Sequence, residues 1–336
     1  MFPDSDDGRR LANFGRPLEP EEAIEPILSK GVRGALLYWL DEIWAEDELR
    51  KVGIAARKRA LFSGPPGVGK TTLAHHLAAR LGMPMLAVAS EAVIDKYVGA
   101  TEKNIGELFA LTMKCNRAAA AARPPRAPVL LFFDEFDTLA AKRRSAASAA
   151  DQGMNDQVNV LLRRIEQHAG FVIAATNRAE ALDAAIWRRF DLQMRLELPG
   201  PFERERILER YLAPYILPAA ALKALAAACD IASPALMRQL CEALKRYLVL
   251  GPKLGWPMVK EVAFERVLAT VGPHPELGKP ALWSAGAGER RRALAAMPWP
   301  PQRLAWPDVA AGGPAPKKAH PSTPAAPAPQ DEGEAA

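Results

Sequence analysis

The run Gly64-Pro65-Pro66-Gly67-Val68-Gly69-Lys70-Thr71 constrains this chain more than any other feature. It meets the spacing G-x-x-x-x-G-K-[ST] at every fixed position. Ala60–Ser63, just before it, has the apolar character of a short buried strand, and Thr71–Leu81, just after it, has helical periodicity. A strand, a glycine loop and a helix in that order wrap backbone around phosphate. The glycines allow the close turn, successive N–H groups point inward, and the positive end of the helix adds to the field. Lys70 is expected to reach the β- and γ-phosphates as a point charge, and Thr71 to give its hydroxyl to Mg²⁺. The expected ATP-binding residues are therefore Gly64, Pro65, Pro66, Gly67, Val68, Gly69, Lys70, Thr71 and Thr72.

Hydrolysis needs an acid for the metal and a group that activates water. Leu130-Leu131-Phe132-Phe133-Asp134-Glu135 supplies both, because an apolar strand delivers two carboxylates at its carboxyl end, where open α/β sheets bind ligands. Asp134 suits the metal, and Glu135 suits the general base. Phe171–Ala175 is a further buried strand, followed by Thr176 and Asn177, and Asn177 can hydrogen-bond a γ-phosphate or the attacking water. Strand candidates at Met85–Ala89 and Gln193–Leu198 alternate with helices near Ile105–Cys115 and Val158–Gln167. This alternation predicts an α/β fold, a doubly wound parallel sheet covered on both faces. Residues 18–50 read as helical and 202–270 as helical only. The expected organisation is an N-terminal helical segment (1–55), a large α/β domain (56–198), a small all-α lid (199–271) and a Pro/Ala-rich, largely disordered tail (272–336) that holds 13 of the 30 prolines. Trp283, Trp299 and Trp306 are expected to pack the start of that tail back onto the body, the alternative being that they present a peptide to a partner.

Taken together, these motifs resemble the AAA branch of the AAA+ ATPases, P-loop NTPases with a small helical lid. The resemblance runs from Walker A at 64–71 through Walker B at 130–135 and the sensor 1 position at Asn177. It continues to Trp187-Arg188-Arg189-Phe190-Asp191, which is similar to the family's arginine-finger region. It implies a homo-oligomeric ring, most often a hexamer, in which Arg188 and Arg189, unranked, act on the nucleotide of the neighbouring subunit. Lys96-Tyr97-Val98-Gly99 resembles the family's first pore loop. Tyr97 and Val98 would then grip a polypeptide, with Gly99 letting the loop bend. Arg143 and Arg144 are candidates for a second channel loop, Arg238 for a second sensor, and Val52-Gly53-Ile54 for the adenine-binding loop. The resemblance implies an ATP hydrolase that remodels, unfolds or disassembles a protein substrate. A DNA-handling helper ATPase and an ATP-dependent assembly switch are the alternatives.

Charge weighs against the DNA reading. The 44 Lys and Arg exceed the 39 Asp and Glu by only 5, so nucleic acid is an unlikely partner. Three cysteines without C-x-x-C spacing suit a reducing compartment. The absence of a readable signal peptide or apolar span suggests a cytoplasmic protein with no membrane partner. The five histidines lack H-E-x-x-H spacing, which excludes an attached zinc protease of that type.

Overall fold

The computed structural model describes residues 1–94, 100–139, 149–182 and 184–304. Its main sheet has six strands: β1 (Gly15–Leu18), β2 (Arg59–Ser63), β3 (Met85–Val88), β4 (Leu130–Phe133), β5 (Val172–Thr176) and β6 (Leu192–Arg195). Their spatial order is β1-β3-β4-β5-β2-β6. All neighbours are parallel except β1, which pairs antiparallel with β3.

Alternation along each strand sends side chains into two layers. Ala60, Phe62, Leu130, Phe132, Ile173 and Ala175 enter one core, while Leu61, Leu131, Phe133, Val172 and Ala174 enter the other. Strands covered on both faces read as unbroken apolar runs. The first core is closed by α2 (Lys30–Trp44), with α3 (Glu46–Lys51) following it, and by α4 (Lys70–Arg80). Trp39 of α2 is fully buried there, and its indole N–H donates to the Arg57 carbonyl at 2.9 Å. The second core is covered by α1 (Asp6–Ala12), α6 (Ala100–Ala121) and α8 (Ala149–Gln167), with the short α5 (Ser90–Val93), α7 (Phe136–Leu139) and α9 (Ala184–Trp187) at its edges.

The N-terminal stretch differs from the helical expectation. Prolines at 17, 20 and 26 keep residues 15–29 out of regular α-helix. Residues 15–18 instead extend the sheet as an edge strand, and α1 buries Leu11 against the second core. The chain then crosses α4, where the His75 Nε2 donates to the Glu19 carbonyl at 2.8 Å.

The remaining elements are α10 (Pro201–Leu212), β7 (Tyr215–Ile216), α11 (Ala219–Ala228), α12 (Pro234–Leu254), α13 (Lys260–Thr270), α14 (Gly288–Ala296) and β8 (Gln302–Arg303). They enclose a third core around Met237, Leu240, Phe264 and Trp283. Two findings correct the sequence reading here. β7 and β8 form a small antiparallel ribbon, so this body is not wholly helical. The segment from 272 to 304 also belongs to it and is not tail. Trp283 is buried, with its N–H donating to the Val271 carbonyl at 2.6 Å, and the Trp299 N–H donates to the Met258 carbonyl at 3.0 Å. These tryptophans bring enough apolar area to offset the cost of ordering a proline-rich stretch. Trp306 and the rest of the expected tail lie outside the described residues. Among the described residues no helix is long and apolar enough to cross a membrane.

Candidate nucleotide site

The strand order brings the carboxyl ends of β2, β4 and β5 side by side, and the motif residues leave the sheet there. The loop after β2 needs its glycines for separate reasons. Gly64 has φ +148°, and a Cβ on it would lie 2.1 Å from the Leu196 carbonyl oxygen at the end of β6. Gly67 has φ +76°, and a Cβ there would meet the Ser233 Oγ at 2.8 Å and the Ala235 Cβ at 3.0 Å. The loop is thus wedged between the sheet and the start of α12. The Ala235 N–H donates to the Gly67 carbonyl at 3.1 Å across that contact. Ser233 caps α12 by accepting from the Leu236 N–H at 3.3 Å, and Pro234 takes the first helical position.

Lys70 opens α4 and is buried. Its ammonium donates to the Gly64 carbonyl at 2.8 Å, the Pro65 carbonyl at 3.0 Å and the Asn177 Oδ1 at 2.6 Å. All three acceptors are neutral, and among the described residues Lys70 makes no salt bridge. Burial pushes its amine below the ordinary lysine value, while Asp134 and Asp137 pull the other way. A buried cation ringed by carbonyl dipoles is poised for an anion. A buried ammonium at the start of a helix fits a polyphosphate.

The Thr71 hydroxyl donates to the Asp134 Oδ2 at 2.7 Å, and the other Asp134 oxygen accepts the Glu135 N–H at 3.0 Å. A hydroxyl and a carboxylate are hard oxygen donors, the set that Mg²⁺ takes. Glu135 is exposed and has φ +47°, an uncommon backbone state for a residue with a side chain. Its carbonyl accepts both the N–H and the hydroxyl of Thr138, each at 2.8 Å, so the turn into α7 holds it in place.

The backbone around Asn177 is held by Thr176, which is fully buried. The Thr176 hydroxyl donates to Asp137 at 2.7 Å and accepts the Arg178 N–H at 3.0 Å. The Thr176–Asp137 link carries no motif and is invisible without the fold.

These groups line one cavity of about 400 Å³. Its floor is Pro66, Gly67, Gly69, Lys70, Thr71 and Thr72, its sheet-side wall is Asp134, Glu135 and Asn177, and its far wall is Tyr211, Pro234, Ala235 and Arg238 of the helical body. Gly64 and Pro65 form the loop's other side, and Val68 packs against the first sheet core. Tyr211 was missed by sequence reasoning, because a lone tyrosine on an amphipathic helix carries no signal. Arg238 does reach the cavity, where it also pairs with Glu242 at 3.7 Å. Val52 and Ile54 do not reach it, are exposed, and form no wall of the site. Residues 25 and 27 instead reach the helical body. The Glu25 carbonyl accepts from Arg210 at 2.5 Å, and Ile27 packs on the third core.

Arg188 and Arg189 do not line the cavity. Arg188 is exposed, while Arg189 pairs with Glu166. Asp191 pairs with Arg59 and not with either arginine. Tyr97, Val98 and Gly99, and also Arg143 and Arg144, lie outside the described residues.

Residues 60–198 match the model of the "ATPase family associated with various cellular activities (AAA)". Over 183 residues the chain is 41% identical to an uncharacterized AAA family ATPase, y4kL, of Sinorhizobium fredii, covering 54% of this chain and 51% of that one. Over 164 residues it is 35% identical to the 26S proteasome regulatory subunit 10B of Dictyostelium discoideum, covering 47% and 38%. Over 168 residues it is 34% identical to the ATP-dependent zinc metalloprotease FtsH 3 of Sphaerobacter thermophilus, covering 48% and 32%. The chain thus spans about half or less of the length of these relatives. A glycine loop around a buried lysine, on a sheet whose strands β3 to β6 all fall within the matched stretch, leads to one assignment: residues 60–198 are an AAA-type ATPase domain.

Proposed function

We propose that this chain binds MgATP in the cavity between its sheet and its helical body, and hydrolyses it within a homo-oligomeric ring, six-membered by family likeness, that remodels a protein substrate. The observation that carries this is Lys70: a buried ammonium with neutral partners only, beside the Thr71–Asp134 pair. The loop N–H groups and Lys70 would hold the phosphates. Thr71 and Asp134 would hold Mg²⁺, which supplies charge neutralisation to the departing phosphate. Glu135, exposed at the cavity wall, would accept a proton from the attacking water. Asn177 would orient that water or the γ-phosphate once Lys70 turns toward the anion.

Among the described residues Arg238 is the one arginine on the cavity walls, which supports completion of the site by the Arg188–Arg189 segment of a second copy. A guanidinium fork placed on a phosphoryl group in this way is worth about 10³–10⁵ in rate. Remodelling rests on the likeness of Tyr97-Val98-Gly99 to a pore loop and on the proteasomal and FtsH relatives.

The test is ATP turnover against protein concentration. Turnover should rise with assembly, and both Glu135→Gln and Arg188→Ala should abolish it. Mixing those two inactive proteins should restore turnover, because Arg188→Ala subunits keep an intact Glu135 and can borrow an arginine from their Glu135→Gln neighbours. Tyr97→Ala should keep basal turnover and lose substrate remodelling. No recovery on mixing would exclude a site shared between subunits.

A further inference from the structure

The turn that carries Arg188 and Arg189 is fastened to its own subunit by contacts that the nucleotide chemistry does not use. Ile186 and Phe190, on either side of the pair, are buried. Phe190 packs edge-on against Phe136, with ring centroids 5.7 Å apart. Asp191 accepts two bonds from Arg59, at 3.0 Å from Nε and 2.9 Å from Nη2. The Nη1 of the same Arg59 donates to the Glu166 carbonyl at 3.4 Å. The Glu166 carboxylate, in turn, holds the Arg189 guanidinium.

Glu166 is next to last in α8, which ends at Gln167. The negative end of a helix disfavours a carboxylate there unless a cation accompanies it. Both partners are about one-third exposed, 39% for Arg189 and 35% for Glu166. Drawing Arg189 away would therefore leave a half-desolvated carboxylate at an unfavourable helix end. Arg188 has no such tie: it is exposed and makes no hydrogen bond or ion pair among the described residues.

We propose that the two arginines divide the work: Arg188 alone reaches the phosphate held by the neighbouring subunit, and Arg189 is a positioning residue, clamped to Glu166 so that the turn presents Arg188 outward. This deepens the shared-site reading above and rests on it.

The experiment is steady-state turnover of the full chain, with kcat and KM for ATP measured above the assembly concentration. Arg188→Lys should lose about 10³-fold or more in kcat, as an ammonium lacks the fork that a phosphoryl group needs. Arg189→Lys should stay within about fivefold of wild type, because lysine still pairs with Glu166. Arg189→Glu should lower kcat at unchanged KM, and the swap Glu166→Arg with Arg189→Glu should recover it. Arg189→Lys and the swap both as inactive as Arg188→Lys would overturn the proposal, since Arg189 would then touch phosphate itself. If the swap does not fold, Glu166→Gln serves, an isosteric change that should lower kcat with KM unmoved. An unchanged kcat there would also overturn the clamp. Indifference of turnover to both arginines, with no dependence on protein concentration, would instead bring down the shared-site reading along with the proposal.

Discussion

His168 follows the last residue of α8, with both ring nitrogens buried and without a hydrogen-bond partner among the described residues. It lies edge-on to Phe109, with centroids 5.4 Å apart, and is 6% exposed. Burial alone pushes its imidazole from the ordinary 6.5 down to about 4. The unfolded chain takes up a proton near the ordinary value, while the folded one stays neutral until near the lower value. Between those two pH values the unfolded state binds more protons, so this residue's contribution is complete above about 6.5 and is lost as pH falls toward 4. The loss amounts to about 3 kcal/mol. Denaturant midpoints measured across that window should fall steeply for wild type. The acid slope should flatten in His168→Phe, which keeps the contact with Phe109. Equal slopes in the two proteins would show that some other group carries the acid sensitivity.

At the level of elements, the stretch from 272 to 304 is the sharpest test of the architecture. Trp283 is 7% exposed in the third core, Leu282 beside it is fully buried, and α14 adds Ala293, Leu294 and Met297. Trp283→Ala should cost about 3–5 kcal/mol through lost transfer energy and the cavity left behind. Were this stretch merely a loose tail, the same substitution would move the melting temperature hardly at all. The contrast also shows what a sequence can and cannot disclose. The loop at 64–71, the acids at 134 and 135 and the asparagine at 177 are legible because phosphate chemistry fixes both residue type and spacing. β4 is legible because both its faces are buried. The edge strand at 15–18 is not, since its four residues include Pro17 and its pairing partner lies some 70 positions along the chain. The tryptophans at 283 and 299 signalled packing, but proline density obscured that the whole stretch to 304 is built into the body, because composition measures average cost and not the few large side chains that offset it. Tyr211 reaches the cavity only through the docking of α10, a tertiary fact with no local trace.

Across the molecule, the nucleotide cavity is a joint between two folding bodies. One wall comes from the loop and strands of the sheet, the other from α10 and α12. Among the described residues that joint includes the Ala235–Gly67 bond, the contact of Gly67 with Ser233, the bond from Arg210 to the Glu25 carbonyl, and an exposed ion pair between Arg178 and Glu276 at 3.3 Å. An exposed pair of that kind contributes at most about 1 kcal/mol. A nucleotide filling the cavity touches both bodies and so links their unfolding, since anything bound only by the assembled state stabilises it by mass action. Calorimetry on Glu135→Gln, which removes the proposed general base, should therefore show the sheet body and the helical body melting closer together with MgATP than without. At 100 times the dissociation constant the added stability should be about 2.7 kcal/mol. Lys70→Ala should abolish the shift entirely, because it removes the buried cation that receives the phosphates. Arg238→Ala should keep the shift of the sheet body and lose much of the linkage, because it removes a charged contact from the helical wall alone. If MgATP raised only the transition of the sheet body in the Glu135→Gln protein, the helical body would be a neighbour of the site and not one of the walls that hold the nucleotide.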